Sequence, residues 1–298
     1  MKSGQLFWGF FLLALGALFL LTKYDLIQGS FDFVYNVWPL IFVFWGAMVI
    51  FKNTLVRPVI SAVFGIFLAM LLFGIIYNNV CSFDFSDHDG DYTEFYNEEY
   101  EPAVKNADLE INSGAGTFVI EEATDKLVEG KTKGNLAEYD FETWKDEDNA
   151  NIRFNLHKRN FNFFGRKFRN YLKVSLNENP IWDIRLNYGA SKANLDLTKF
   201  KIRNLELHSG ATSTYVKLSD KAEITNVNVE MGAANITIDV PANVGCEIQT
   251  DMALSSKNIH GFNSRGKGHY ITENFSESGK RIIIDVKAGV SSLTVNRY

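Results

Sequence analysis

The first 80 residues have very little charge. They hold six charged side chains: Lys2, Lys23, Asp25, Asp32, Lys52 and Arg57. A soluble domain needs a charged outer surface, so this stretch is not one. Cysteine is scarce too, with only Cys81 and Cys246. Cys81 follows an apolar stretch and lacks a lipobox. Cys246 falls at a strand-like position that suits a small buried side chain, and a bridge between the two stays open as an alternative. The five histidines, His88, His157, His208, His260 and His269, form no HExxH, and no two lie three or four residues apart, which removes the usual helical metal spacing. His208 occupies an outward position beside Ser209, where a solvent-exposed role is expected rather than that of a base. No G-x-S-x-G, phosphate-binding glycine loop or dinucleotide fingerprint occurs, and the G-x-G at Gly114–Gly116 leads into a strand rather than a helix. Asp183, Asp196, Asp239 and Asp285 read as ordinary polar outer faces. The expectation is a non-enzyme with no cofactor and no catalytic, cofactor-binding or metal residues.

What is present begins with three apolar stretches, at about 6–22, 33–51 and 59–80, which together make a membrane domain over 1–80. About 20 apolar residues cross the hydrocarbon layer, and the second and third stretches are long enough. The first is followed at once by the next and has no A-x-A-like cleavage site, so it reads as a span rather than a signal peptide. Trp and Tyr gather near the stretch ends, where their rings favour the headgroup layer. Pro39 sits in the first turn of the second span, where its missing N–H costs nothing. Lys52 and Arg57 lie between spans two and three with no acid, whereas Lys23 shares its loop with Asp25 and Asp32. The positive-inside rule then puts the N-terminus in the cytoplasm, and three crossings put the rest of the chain outside it.

Residues 81–102 are expected to form an acidic linker, because Cys81–Glu101 holds eight carboxylates and no Lys or Arg. Asp87, Asp89, Asp91 and Glu98 fall at positions one, three, five and twelve of a calcium loop. The sixth position is Tyr92 where glycine is needed, so the linker is the preferred reading.

The remainder, 103–298, carries a repeat. LEINSGAGTFVI, IRLNYGASKANL, LELHSGATSTYV, VNVEMGAANITI and IDVKAGVSSLTV each place an apolar alternation before a glycine and another after it. The glycines are Gly114, Gly189, Gly210, Gly232 and Gly289; a sixth, degenerate copy, IQTDMALSSKNI, has Ala253 in the slot. Period-two alternation means strands with one buried face, and the glycine allows a bend or a close approach by the neighbouring coil. The central slots recur at intervals of 21 or 22 residues, counted from Gly189, Gly210, Gly232 and Ala253, the length of one multi-strand coil. The expected fold is an α-helical membrane region plus an all-β domain built as a short right-handed parallel β-solenoid, with each glycine above the last. An antiparallel β-sandwich is the alternative.

The first two spans, WGFFLLALGALFLLTKYDLIQG and VWPLIFVFWGAMVIF, resemble the paired-helix module of LiaF-like and LiaI-like bacterial membrane proteins. VNVEMGAANITIDVP and NFSESGKRIIIDVKAGVSSLTV resemble the LiaF-like toast-rack β domain. The membrane part departs from some relatives in its number of spans. The resemblance implies a multi-pass protein of the bacterial cytoplasmic membrane, serving a cell-envelope stress response in which a LiaF-like protein restrains a sensor histidine kinase.

One segment mixes bases with aromatics: Lys158–Lys173, KRNFNFFGRKFRNYLK, without an acid. It suits an anionic lipid surface or an anionic cell-wall polymer, and an extracytoplasmic domain would rarely meet nucleic acid. The bland alternative is a strand and turn whose rings enter the core. Cys81–Asp148 is acidic and Asn149–Tyr298 net basic, so the two parts should attract, within the domain or between copies as a homo-oligomer. Two functions stay open: a regulator coupling the envelope to a kinase, and a structural or adhesive module that binds glycan, lipid or itself.

Overall fold

The computed structural model describes residues 3–23, 37–52, 54, 56–76, 94–134, 137–157 and 169–298. The chain divides into two compact units, one helical and one β.

The helical unit contains α1 (Ser3–Lys23), α2 (Leu40–Ile50) and α3 (Arg57–Ile76). Gly4–Leu21 and Arg57–Gly74 are long and apolar enough to cross a membrane. The expected second span, 33–51, appears as an 11-residue helix. That described part rises ~16 Å at the α-helical rise, and residues 33–36 of the expected span lie outside the described residues. Pro39 is the residue before α2, not inside its first turn. Residues 24–36 and 77–80 lie outside the described residues. Lipid gives helices no hydrophobic reason to associate, so packing depends on close approach at small residues. Gly65 supplies that approach: a Cβ added there would lie 2.5 Å from the Phe7 carbonyl oxygen. Ring contacts Phe7–Phe64 at 5.4 Å and Phe19–Phe73 at 5.2 Å flank it.

The β unit begins with β1 (Glu94–Glu98), β2 (Asn106–Ala123) and β3 (Val128–Lys133). Next come β4 (Tyr139–Asp146), β5 (Asn149–Leu156) and β6 (Tyr171–Leu176). The long strands β7 (Ile181–Asp196), β8 (Lys201–Lys217), β9 (Ile224–Val240) and β10 (Gly245–Ile259) follow. Short β11 (Asn263–Gly266) and β12 (His269–Ile271) precede β13 (Arg281–Arg297). The expected linker is therefore strand at 94–98, paired antiparallel with β3; residues 81–93, with most of the calcium-like loop, lie outside the described residues.

Straight, the 16 residues of β7 would span ~53 Å. Yet β8 starts beside the start of β7, in parallel register, after only Leu197–Phe200, a reach of ~14 Å at most. Each long strand must therefore double back. The fold-back is at the glycine slot, where inward parity switches. In β7 the buried side chains are Trp182, Ile184, Leu186 and Tyr188 before Gly189, and Ser191, Ala193 and Leu195 after it. The two halves face each other across one core that runs through every coil.

The glycines stack as expected. A Cβ on Gly189 would lie 2.5 Å from the Gly114 carbonyl, on Gly232 2.7 Å from that of Gly210, and on Gly289 2.7 Å from that of Gly232. The order of coils is not as expected. The centre runs β2-β7-β8-β9-β13-β10, all parallel, so β13 lies between β9 and β10 and Ala253 aligns with Gly289 rather than Gly232. Nor is the sheet purely parallel: β1-β3-β6 at one end, β12 and β11 at the other, and the β4–β5 pair are antiparallel. The whole is one mixed 13-stranded sheet rather than a uniform solenoid or an antiparallel sandwich.

The long gap between Gly114 and Gly189 contains a split coil. β5 pairs with the first half of β2 and β6 with its second half. Where other coils run through the glycine slot as one continuous strand, this one has the chain from His157 to Asn170. Asn170 closes the far side of that break, donating to the Ser113 hydroxyl at 3.0 Å and the Ala115 carbonyl at 2.8 Å, and accepting from the Tyr139 hydroxyl at 2.9 Å.

Candidate functional site

In the first half of each coil the outward positions form columns across the stack. One column reads Asn151, Asp108, Asp183, Asn204, Asn226; its neighbour reads Arg153, Glu110, Arg185, Glu206. β4 extends both at the edge with Trp144 and Glu142. All of these side chains except Asn226 and Glu142 line a groove of about 300 Å³.

Its charges are paired across strands. Arg153 Nε donates to Glu110 Oε2 at 3.0 Å, and Arg185 Nε to Glu206 Oε2 at 2.6 Å. Arg203 Nη2 makes a very short contact with Asp183 Oδ2, while Asn204 Nδ2 donates to Asp183 Oδ1 at 2.8 Å. Asn112 donates to Glu110 Oε1 at 2.9 Å and to Asn155 Oδ1 at 2.8 Å, and accepts from Asn187 at 2.7 Å. The Arg153 guanidinium lies 5.2 Å from the centre of the Trp144 ring, a cation–π platform. Trp144 is 44% exposed.

These neighbours tune the carboxyls. The Asn112 amide, then Arg153, holds Glu110 below the usual range, and the Arg185 hydrogen bond does the same for Glu206. Asp108 moves the other way: partial desolvation in the groove, then the Asp183 charge, raises it. Among the described residues no hydrogen bond or ion pair engages the Asp108 carboxylate.

Other residues singled out in the sequence are dispersed. His208 lies on the outer face, half exposed, between Glu230 at 3.6 Å and Glu206 at 3.9 Å. Asp196 accepts from Thr198 Oγ1 at 2.6 Å, and Asp239 from the Tyr215 hydroxyl at 2.7 Å; neither approaches the groove. Cys246 is a buried free thiol that burial pushes up to about 12; Cys81 lies outside the described residues. Of the basic–aromatic segment, 158–168 lies outside them as well. In its described end Leu172 is in the core, and Lys173 bonds Glu122 at 2.6 Å and Glu121 at 3.2 Å. Burial alone would lower Lys173; those bonds outweigh it and raise it. With Arg153–Glu110, they realise within the domain the attraction between its acidic and basic parts. The groove residues Trp144 and Arg153 escaped sequence reasoning because β4 and β5 lie outside the glycine repeat, and Asp108 and Glu110, at the start of the first copy on β2, read only as polar outward positions. The alternating YDFETWKD, with Trp on its polar side, was the available signal.

The architecture defines a class: an apolar helical membrane region carrying a large all-β domain, with no enzymatic family indicated. Residues 86–239, just over half of the chain, match the N-terminal domain of toast_rack, DUF2154, and residues 6–50 match the LiaI-LiaF-like transmembrane region. The chain belongs to the toast-rack family and is LiaF-like. No curated protein matches it significantly. Among solved structures, it is similar to one from Clostridium sporogenes assigned provisionally to cell adhesion, with a TM-score of 0.65 and 21% identity, covering 69% of this chain and 98% of that one. A second, provisionally an adhesin from Bacteroides fragilis, has a TM-score of 0.29 and 9% identity over 68% of this chain and 97% of that one. The first likeness is one of fold.

Proposed function

We propose that this is a non-enzymatic, multi-pass regulator of a bacterial cell-envelope stress response, modulating a membrane sensor histidine kinase. One observation carries the reading: a LiaI-LiaF-like membrane region and a toast-rack domain occur in one chain. The charge bias of the loops supports placing the β domain outside the cytoplasm. There it meets the envelope while the helices meet the kinase. The coils are read as right-handed, the hand that parallel crossovers take.

The test has two parts. Ser264 on β11 is exposed. In a chain lacking Cys81 and Cys246, Ser264→Cys should react in intact cells with a membrane-impermeant thiol reagent; labelling only after lysis removes the topology. Deleting the protein should raise basal kinase-dependent transcription, and unchanged transcription removes the regulatory reading.

A second reading, a surface module that binds a ligand or adheres, is favoured by the hydrogen-bonding outer face, and the provisional adhesion assignment of the C. sporogenes structure is consistent with it. The segment 158–173 is proposed as an additional contact for anionic lipid or cell-wall polymer. In the chain it lies between β5 and β6, the two strands of the split coil, and runs into β6.

A further inference from the structure

We infer that the groove between β4 and β8 binds an uncharged sugar chain, with the exposed ring of Trp144 stacking on a pyranose face and the flanking carboxylates and amides taking its hydroxyls. The inference deepens the second reading above and rests on it; it does not depend on the kinase.

Four features of the groove point to that ligand. First, Trp144 is a large apolar ring left open on an otherwise polar face. The apolar side of a pyranose is a natural partner for an indole, and Arg153 steadies the ring. Second, the polar groups are pre-organised. Each of Arg153, Arg185 and Arg203 is hydrogen-bonded to a carboxylate, which holds planar acceptors and donors in fixed directions at little further entropic cost. Third, the charges nearly cancel: Asp108, Glu110, Asp183 and Glu206 stand against those three guanidiniums. A phosphate, sulfate or anionic polymer needs an excess of free cations, and a polycation an excess of free acids. A hydroxyl-rich neutral molecule needs neither. Fourth, the Asp108 carboxylate is an acceptor with no protein partner among the described residues. Desolvation already raises its pKa, and a pair of sugar hydroxyls would satisfy it. The volume, about 300 Å³, is at the small end of ligand sites and suits a short stretch of a chain rather than a buried metabolite. Asn204 donated to by Asn226 at 3.1 Å continues the polar surface along the stack, so a longer chain can lie across successive coils.

The experiment uses the full chain in a sugar-free detergent such as lauryldimethylamine oxide. Calorimetric titration is run with maltotetraose, cellotetraose and chitotetraose, with heparin and phosphatidylglycerol vesicles as anionic comparators. At least one neutral tetrasaccharide should bind. Trp144→Ala should weaken that binding about tenfold, Trp144→Phe should lose less, and Asp108→Ala should weaken it too. Trp144 is exposed, so an unchanged melting temperature verifies that the variants fold. Neutral sugar binding that Trp144→Ala leaves unchanged overturns the groove and spares the second reading. No binding of any neutral tetrasaccharide by folded protein overturns the sugar assignment, and binding of heparin or vesicles alone does so in favour of an anionic partner.

Discussion

Asp108 and Glu110 are two residues apart on one strand and point into one groove, yet their surroundings shift them in opposite directions. Glu110 is held low, so its contribution to stability is present above the unfolded carboxylate range and fades as pH falls through its folded pKa. Glu110→Gln should therefore destabilise at pH 7, by up to about 1 kcal/mol for so exposed a pair, and the cost should shrink in acid. Asp108 is raised, so the folded state holds its proton more tightly than the unfolded one. Stability is full below the unfolded pKa and is lost as pH rises through the folded pKa. Asp108→Asn should raise the melting temperature at pH 7 and leave it unchanged in strong acid; a lower melting temperature at pH 7 would mean that the charge is welcome there. Cys246 gives a third test at this scale. A thiol pushed up to about 12 by burial is protonated and inaccessible at pH 8. In a Cys81→Ser background it should react with a disulfide reagent only as fast as the domain unfolds.

Among the elements, the glycine slots differ in a way that sequence spacing hides. All five share a motif, but the first rung stands apart. Among the described residues, a Cβ on Gly114 would meet only the Leu156 side chain at 4.0 Å, whereas one on Gly189 would press on a backbone oxygen at 2.5 Å. Gly189→Ala should cost about 1–3 kcal/mol, the range of overpacking, and Gly114→Ala no more than about 0.5 kcal/mol, both read by urea denaturation. Similar costs at the two sites would remove the ladder as the reason for glycine. Gly65→Ala should push α1 from α3 by the same mechanism and loosen the helical pair in detergent. The slots show where sequence reading succeeded. The alternation around Gly189, Gly210 and Gly232 already specified paired half-strands, their fold-back and their stacking, because each depends on local parity. It did not specify that β13 pairs with β9, since Gly289 and Ala253 occupy equivalent slots and local pattern cannot rank two non-local partners. Nor could it place Trp144 and Arg153, which meet Asp108 and Glu110 only because the split coil of β5 and β6 docks on β2. The second membrane stretch was legible as apolar, and within the described residues its helix runs over Leu40–Ile50, directly after Pro39.

At the scale of the whole molecule, the chain joins a lipid-embedded part to a water-exposed part that shares none of its physical constraints. The helices need close approach without a hydrophobic drive; the β domain needs one continuous apolar core that no single coil can bury. That core makes the coils interdependent. Deleting 281–298 removes the strand between β9 and β10, so two interior edges open at once. The truncated chain should aggregate or be degraded rather than lose one rung's worth of stability, as read by its soluble yield and by protease resistance of the β domain.

The place of β13 also sets a sequence in time. Coils β7, β8 and β9 can lie down one on another in the order in which the chain presents them, but β10 has no parallel coil of its own to lie on until β13 has come through, only the short antiparallel β12. From the moment β10 emerges, β9 ends in an open edge that fits either strand, and β10 placed there would bring Ala253 over Gly232 a full rung too early. The 21-residue interval from Gly232 to Ala253 makes that wrong step as short as the right ones before it. A chain released slowly therefore has longer to make the mistake, and correcting it means peeling back a whole coil. The speed at which the last strand is delivered, and not only its affinity for its place, decides how many molecules finish correctly.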